Sequence, residues 1–354
     1  ARRVAFPHAL LAAATHDHKR GEAVRARLAV LSEIPAEWEA AVEGWMRRND
    51  GRRRPCGDGP APSAADELML YQMLVAAWPA ALEPTDTRGV ARFCERIAAW
   101  QEKAVREAKL RSDWLAIDAA YEDACRKFLL GMLEDAALRD ELERFARRIG
   151  PAGAVNGLAQ TMLRLTVPGV PDLYQGTEFW DESLVDPDNR RPVDFAAREA
   201  ALGEGRSLAE LVENWRSGRI KQALIARMLG LRKRLPELFA SGSYVPLEAN
   251  GIEAKRTLFF MRVHERTALV VGLARLAVPL LGTAAAPRIA SEAWGGTYLC
   301  VPGAAAGAWN NVLEAEAAIE GGGPVPLGLL FGSLPVACWL DERIESGGVS
   351  LPAR

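Results

Sequence analysis

The sequence predicts an α/β fold with a large helical block and a C-terminal antiparallel β domain. Two short apolar segments each run into a cluster of polar residues, "THDHKR" (15–20) and "DLYQGTE" (172–178). Helical spacing fills the region between them, and short β-rich segments follow Pro236. Polar residues that follow buried strands are typical of the mouth of an α/β barrel, where active sites lie at the carboxyl ends of the strands.

The first half of the chain predicts one strand followed by helices. Residues 4–14 are predicted to form a buried strand that runs into a loop, and residues 22–34 have the apolar spacing of a helix that Pro35 should end. The stretch 51–64 is rich in Gly and Pro and predicts an exposed loop. Further helices are predicted at about 66–78, 88–111, 118–149, 152–166 and 219–235.

The segments "TLFFMRV", "TALVVGLA", "TYLCV" and "VACWL" have the composition of β-strands and are separated by Gly and Pro. Short strands at this spacing favour an antiparallel sandwich. No internal repeat is visible.

Composition excludes several classes of protein. Apolar residues make up 49% of the 354 residues, enough for a large core, and the net charge of -2 gives no basic field for nucleic acid. No apolar run approaches the about 20 residues that a membrane helix needs. The basic and apolar N-terminus is not expected to be a signal peptide, because polar residues follow without a processing site. The chain is expected to be part of something longer.

The five cysteines lack metal-ligand spacing and predict reduced thiols in a cytoplasmic protein. His16 and His18 could bind a metal on one face of a strand, but no third ligand is in view. We therefore expect neither a metal nor an organic cofactor.

Several long segments resemble the maltooligosyltrehalose synthases, a family of the α-amylase superfamily (glycoside hydrolase family 13). The resemblance covers residues 15 to about 230 in the family's order and continues more weakly through the β-rich tail. It is carried by "THDHKRGEAVRARLAVLSEIPAEW", "ELMLYQMLVAAWP", "KAVREAKLRSDW", "LTVPGVPDLYQGTEFWDESLVDPDNRRPVDF" and "GRIKQALIARML".

The resemblance implies the last two strands of a TIM-type (β/α)8 barrel with a large helical insertion between them. It implies four parts: 1–20 as the end of strand seven and the catalytic loop, 21–150 as the helical insertion, 151–235 as strand eight and the last helix, and 236–354 as the C-terminal β domain.

The resemblance also implies an active site. Asp17 would stabilise the oxocarbenium-like transition state by accepting hydrogen bonds from sugar hydroxyls, and His16 would hold a hydroxyl or that carboxylate. Substrate-binding positions would be Lys19, Arg20, Lys109, Trp114, Tyr174, Gln175, Glu178, Asn189, Arg190 and Arg191. The family usually has Thr at the position of His18, and no role is assigned to this histidine.

Simpler structural roles remain open for several of these side chains. Lys19 and Arg20 could be the solvated start of a helix, and Trp114 could belong to the core. Arg190 and Arg191 could pair with the acidic residues of their own loop rather than with sugar.

The implied reaction is an intramolecular transglucosylation with retention. The reducing-end α-1,4 bond of a maltooligosaccharide would be converted to an α,α-1,1 trehalose linkage. Such chemistry needs a nucleophile and an acid/base about 5 Å apart, and the resemblance places both before residue 1. The expected partners are the maltooligosaccharide and the N-terminal half of the same enzyme, and this chain alone should be inactive. No nucleic acid or membrane partner is expected.

Two alternatives are left open by the sequence. One is a related amylase-type hydrolase or 4-α-glucanotransferase, which would differ in its products. The other is a non-catalytic chain that binds glucan or a partner through the helical block and the β domain.

Overall fold

The computed structural model describes residues 2–57, 59–301, 308–314 and 317–342. They form two compact units. The helical unit consists of residues 16–150 and 181–192, and the sheet unit contains the described residues of 1–15, 151–180 and 193–354. The last part of the predicted β domain, 343–354, lies outside the described residues.

The helices are α1 (Arg2–Ala5), α2 (Glu22–Val30), α3 (Pro35–Asn49), α4 (Ala64–Ala77), α5 (Thr87–Ala108), α6 (Ala119–Glu134), α7 (Ala136–Thr166), α8 (Phe195–Gly203), α9 (Leu208–Glu213), α10 (Arg219–Arg234), α11 (Pro236–Ala240), α12 (Val278–Leu281) and α13 (Leu327–Phe331). The strands are β1 (Leu10–Ala12), β2 (Arg54–Cys56), β3 (Gly59–Ala61), β4 (Val170–Asp172), β5 (Ser243–Leu247), β6 (Ala249–Asn250), β7 (Thr257–His264), β8 (Thr267–Ala274), β9 (Tyr298–Cys300), β10 (Ala308–Asn311), β11 (Ala318–Glu320), β12 (Pro324–Pro326) and β13 (Val336–Asp341).

Capping side chains and apolar spacing explain the helices α4, α5 and α6. Ser63, Asp86 and Asp118 each occupy the N-cap and accept a hydrogen bond from a backbone amide of the first turn. In α5, residues at the 3.6-residue period, among them Phe93 and Ile97, are buried. The helices predicted at 66–78 and 88–111 are confirmed to within a few residues.

The boundary predicted between the helices 118–149 and 152–166 is wrong. The first helix ends directly before Asp135. This residue adopts an extended conformation, and its side chain accepts a hydrogen bond from the amide of Leu138. Helix α7 then continues through Pro151, and the boundary between the two units falls inside it, at Gly150–Pro151. An N-terminal cap explains why a new helix begins here. The carboxylate of Asp135 accepts a hydrogen bond from an amide of the first turn that would otherwise have no partner in the helix.

One prediction near the N-terminus is also corrected. The strand predicted over residues 4–14 is only Leu10–Ala12, with Leu11 buried and its neighbours exposed. The helix predicted at 22–34 is confirmed as α2 followed by a 3-10 turn, Leu31–Glu33, and Pro35 begins α3. Proline suits the first position of a helix, since its fixed φ is helical and its missing N–H would have no partner there.

The sheet unit contains a parallel pair and two antiparallel sheets. Strands β1 and β4 pair in parallel, with Leu11 opposite Pro171. A six-stranded sheet has the order β11-β10-β13-β8-β7-β5, and a three-stranded sheet has the order β12-β9-β6. Every neighbouring pair in these two sheets is antiparallel. All four predicted β-rich segments form strands.

The core of the sheet unit joins the six-stranded sheet to its helices. Buried side chains of α7, α9, α10 and α11 form one cluster with those of β7, β8 and β13. Arg262 on β7 is buried in the same region, and its guanidinium donates to the carbonyls of Thr166, Leu238, Phe239 and Gly242. Burial lowers the pKa of Arg262 to about 10. The side chain satisfies carbonyls at the ends of α7 and α11, which would otherwise be buried without a partner.

Candidate functional site

The loop "THDHKR" leads into the helical unit. Two of its proposed site residues are accessible to solvent. His16 and Asp17 are exposed, whereas His18 and Arg20 are partly buried. The loop is tied to the segment 181–192 of the same unit. Asn189 donates its side-chain amide to the carbonyl of His16 at 2.7 Å, and Arg20 forms an isolated antiparallel bridge with Leu184.

Gly21 allows this segment to lie directly against the start of helix α2. The amide of Gly21 donates to the carbonyl of Ser183 at 2.8 Å. A Cβ at position 21 would lie 2.5 Å from the carbonyl oxygen of Asp181. A larger residue would therefore push the two segments of the backbone apart. The carbonyl of Asp181 also accepts the amide of Ala23 at 3.0 Å. The first turn of α2 is therefore satisfied by residues that lie about 160 positions away in sequence.

Lys19 and Arg20 have separate partners in the helical unit. Lys19 donates to the carboxylate of Glu107 at 2.8 Å, and this hydrogen bond raises the pKa of the lysine, with smaller charge effects from Glu107 and Asp17. Arg20 donates to the sulfur of Met73, and its guanidinium lies 5.9 Å from the ring centroid of Trp100. Burial lowers the pKa of Arg20. Arg20 is therefore packed into the unit and is not a solvated helix start.

Buried ion pairs attach the segment 181–192 to the helices. Arg96 donates to both carboxylate oxygens of Asp188, at 2.8 and 2.9 Å, and to the carbonyl of Glu182. Arg27, which is buried whereas Arg96 is partly buried, donates to the carboxylate of Glu182 at 2.6 Å. Burial would raise the pKa of Asp188, but the hydrogen bonds and charge of Arg96 lower it overall. Bidentate pairs of this kind fix orientation as well as position.

A cavity of about 660 Å³ lies between helix α5 and this segment. Trp114 and Arg191, two of the substrate-binding positions that the resemblance implies, line it, and Trp114 is 52% exposed and not part of the core. Its ring lies over the guanidinium of Arg106, 4.9 Å from the ring centroid. The cavity is lined by Glu95, Arg96, Ala99, Trp100, Glu102, Lys103, Trp114, Val185, Asp186, Pro187, Asp188 and Arg191. The lining of this cavity therefore combines aromatic rings with charged side chains.

Lys109 and Arg190 lie outside that lining, whereas Arg191 lies within it. Lys109 is exposed at the C-cap of α5, in the left-handed conformation with φ 57°. Arg190 pairs with Asp186 at 2.5 Å, and Arg191 pairs with Asp188 at 3.1 Å. Both arginines therefore hold acidic residues of their own loop, the alternative that the sequence left open.

Asn189 is the buried member of the loop. It is 7% exposed, and its Oδ1 has no hydrogen-bond partner among the described residues. The side-chain nitrogen of Asn189 is used by the carbonyl of His16, and its buried oxygen is an acceptor that the described residues leave unused.

Tyr174, Gln175 and Glu178 belong to the sheet unit, directly after β4. The carbonyl of Tyr174 accepts hydrogen bonds from the amide and the hydroxyl of Thr177, which closes a turn through Gly176 at φ +83°. Gln175 is exposed. Glu178 accepts a hydrogen bond from Arg198 at 3.1 Å. These three residues therefore form a structured turn at the carboxyl end of a parallel strand.

His18 was given no role from the sequence, yet it has a defined environment. Its side chain is 8% exposed and its Nε2 lies 3.0 Å from the hydroxyl of Ser183. Arg96 and Trp100 also contribute to the site without having been proposed. The charge of Arg96 on a mainly apolar helix face was a possible signal, but its partner is 92 residues away.

Groups of three or more His, Cys, Asp or Glu side chains able to hold a metal ion do not occur in the described ranges. None of the helices in the described part of the chain combines the length and apolarity of a membrane span.

Comparisons with known proteins show which proteins this chain is similar to. No family model matches it. A curated relative from Mycobacterium tuberculosis, described as a putative maltooligosyl trehalose synthase, is 34% identical over 338 residues, which are 96% of this chain and 38% of that protein. The structure of maltooligosyltrehalose synthase from Arthrobacter ramosus matches with a TM-score of 0.74 and 31% identity, over 96% of this chain and 39% of that one. The chain is similar to part of a maltooligosyltrehalose synthase.

A second solved structure, described as a maltooligosyl trehalose synthase, matches with a TM-score of 0.72 and 27% identity, over 94% of this chain and 39% of its own. These matches confirm the family resemblance found in the sequence. The described residues have an α/β fold with a β-sheet domain, and this fold matches that of the synthases. The chain spans about 38% of the length of the curated relatives that it matches.

Proposed function

We propose that this chain is the C-terminal part of a maltooligosyltrehalose synthase. The match over 96% of the chain to a curated synthase, at 34% identity, carries this proposal. In it, residues 1–20 supply the end of barrel strand seven and the catalytic loop, and residues 21–150 supply the helical insertion. Residues 151–235 supply strand eight and the last helix, and residues 236–354 a C-terminal β-sandwich.

Strands β1 and β4 support the assignment to a barrel. They pair in parallel, and parallel sheets are normally covered on both faces and continued by further strands. Here Leu10 is 70% exposed, and Phe6 and Val170 are also exposed. Exposed apolar side chains on a two-stranded parallel pair are expected when the rest of the barrel belongs to another part of the protein.

The reaction proposed for the whole protein is an intramolecular transglucosylation with retention, an isomerase activity. The terminal α-1,4 bond of a maltooligosaccharide breaks, a covalent glycosyl intermediate forms on a carboxylate outside this chain, and the freed glucose turns. Its anomeric hydroxyl then attacks to give the α,α-1,1 bond. Neither a metal nor an organic cofactor takes part, and the partners are the oligosaccharide and the N-terminal part of the enzyme.

Asp17 is proposed to stabilise the oxocarbenium-like transition state. It is exposed on a loop whose neighbouring residues are both tied to the segment 181–192. A carboxylate accepting hydrogen bonds from hydroxyls that become more acidic as charge develops binds the transition state more strongly than the substrate. His16 is proposed to assist it at the same subsite.

The test uses the full-length protein and maltopentaose. The expected product has a trehalose end and no reducing end, whereas a hydrolase would release new reducing ends and a 4-α-glucanotransferase would give a ladder of glucans. Asp17→Asn keeps the shape of the side chain but removes its charge, so kcat should fall roughly a hundred- to thousand-fold with a smaller change in KM.

A thermal melt of each variant provides the control for folding. Normal melting of Asp17→Asn together with turnover within a few-fold of the parent would refute the role of Asp17. Products with reducing ends only would refute the synthase reaction itself.

A further inference from the structure

We propose that His18 is a positioning residue that fixes the loop carrying Asp17, through its hydrogen bond to Ser183. The inference rests on the proposed function, because it concerns the carboxylate to which that function gives a catalytic role. His18 itself touches no reacting atom in this proposal.

The contact of His18 is short and nearly buried. Its Nε2 lies 3.0 Å from Oγ of Ser183 and 3.9 Å from a carboxylate oxygen of Asp181. Ser183 is 6% exposed, and the side chains of His18 and Asp181 are 8% and 12% exposed. A hydrogen bond that is shielded from water in this way is costly to break, because neither group regains full solvation.

The partner segment is itself fixed. The amide of Ser183 donates to the carboxylate of Asp181 at 3.1 Å, and that carboxylate lies 3.4 Å from the amide of Glu22 at the start of α2. The carbonyl of Ser183 accepts the amide of Gly21. His18 therefore bonds to a segment that is anchored to the first turn of a helix, and not to a free loop.

Asp17 lies between two such attachments. On one side the backbone of His16 accepts the amide of Asn189 at 2.7 Å, and on the other side the imidazole of His18 bonds to Ser183. With the backbone attached at residue 16 and the side chain attached at residue 18, the direction of the Asp17 carboxylate is restricted. Catalytic groups lose rate when they move by about 1 Å, so such restriction matters more for the transition state than for binding.

The experiment compares His18→Ala, Ser183→Ala and the double variant in the full-length protein with maltopentaose. Each single variant should lower kcat about fivefold to tenfold with KM unchanged to within about twofold. The double variant should be no worse than the worse single one, since both remove the same hydrogen bond. His18→Gln, whose amide reaches about as far as Nε2, should recover most of the rate.

A second measurement does not depend on activity. Hydrogen exchange in peptides covering residues 16–21 should become faster in His18→Ala, because the amide of Gly21 lies in the same attachment to Ser183. His264→Ala, a partly buried histidine at the end of β7 in the sheet unit, serves as the matched control and should change neither exchange in this loop nor kcat.

The outcomes separate the inference from the proposed function. If Asp17→Asn lowers kcat as proposed but His18→Ala keeps the kcat of the parent, the inference is overturned and the function stands. A raised KM at unchanged kcat, or unchanged exchange in residues 16–21, also overturns the inference. If the parent forms no trehalose-ended product, the proposed function fails, while the exchange measurement still decides whether His18 fixes the loop.

Discussion

The exposed ring of Trp114 lines the cavity of the helical unit, and the guanidinium of Arg106 packs against this ring. The guanidinium of Arg106 is held by Glu102 and Glu122, at 2.9 and 2.7 Å. A ring fixed by an immobilised cation loses little freedom when a ligand packs on it. Trp114 is therefore not a core residue, and we propose it as a contact for a sugar ring.

Trp114→Ala in the full-length protein should increase the share of free glucose relative to trehalose-ended product. The reason is that water gains access during the lifetime of the covalent intermediate once the indole is removed. Quantifying both products from maltopentaose measures the ratio. Trp309→Phe, at a fully buried position of the sheet unit, is the comparison for a general packing effect. An unchanged ratio in a normally folded Trp114→Ala variant would place Trp114 outside the reaction pocket.

At the scale of elements, the helical unit depends on the segment 181–192 being docked against α5. The pair between Arg96 and Asp188 is the central attachment, with both side chains less than one-fifth exposed. Lys103 adds a hydrogen bond to the carbonyl of Asp186 at 2.9 Å. Because the same segment lines the cavity and contacts the loop of Asp17, its docking connects stability with the proposed chemistry.

Asp188→Asn should weaken this docking by about 2–3 kcal/mol, since Arg96 would lose a charged partner in a largely buried place. The pKa of Asp188 is lowered in the folded chain. Its stabilising contribution is therefore fully present above the ordinary carboxyl pKa of 3.8 and is lost as the pH falls through the lowered value. Hydrogen exchange of peptides covering 181–192, corrected for intrinsic rates and compared between pH 2 and 6, measures the effect.

Asp123→Asn is the matched control for that experiment. Asp123 pairs with Lys127 at 2.6 Å, but both side chains are more than half exposed. An exposed pair of this kind contributes about 0.5 kcal/mol or less, so this variant should leave the segment unchanged. Equal effects of the two variants, or a difference for Asp188→Asn that does not become smaller as the pH falls below 3.8, would contradict the assignment.

At the scale of the whole molecule, the chain matches 38% of a longer curated relative. The parallel pair β1–β4 leaves apolar side chains such as Leu10 exposed. We therefore expect residues 1–354, purified alone, to convert no maltopentaose, because the nucleophile and the acid/base are proposed to lie on the remaining part.

The same preparation should bind a fluorescent dye for apolar surface more strongly than the full-length protein does. Leu10→Ser with Val170→Ser should reduce that dye binding if the parallel pair is its source. Trehalose-ended product from the purified chain, free of contaminating enzyme, would contradict the placement of the catalytic pair. Equal dye binding by chain and full-length protein would contradict the open strand pair.

The local structure could be predicted from the sequence because it depends on residues that are near one another in the chain. The apolar period of α5 and the β-rich composition of β7 and β8 appear within windows of about ten to twenty residues. The loop "THDHKR" could be recognised for the same reason, since its side chains follow one another directly. The family resemblance was also visible in contiguous segments.

Only the tertiary structure decided how these segments meet. The partners Arg96 and Asp188 are 92 residues apart, and His18 and Ser183 are 165 residues apart. Nothing in a local pattern selects one acidic or hydroxyl partner from many, because pairing depends on distance and burial in the folded chain. The sequence by itself therefore determined helices such as α5, the strands β7 and β8 and the candidate loop of Asp17, whereas the fold determined that His18 and the segment 181–192 support this loop.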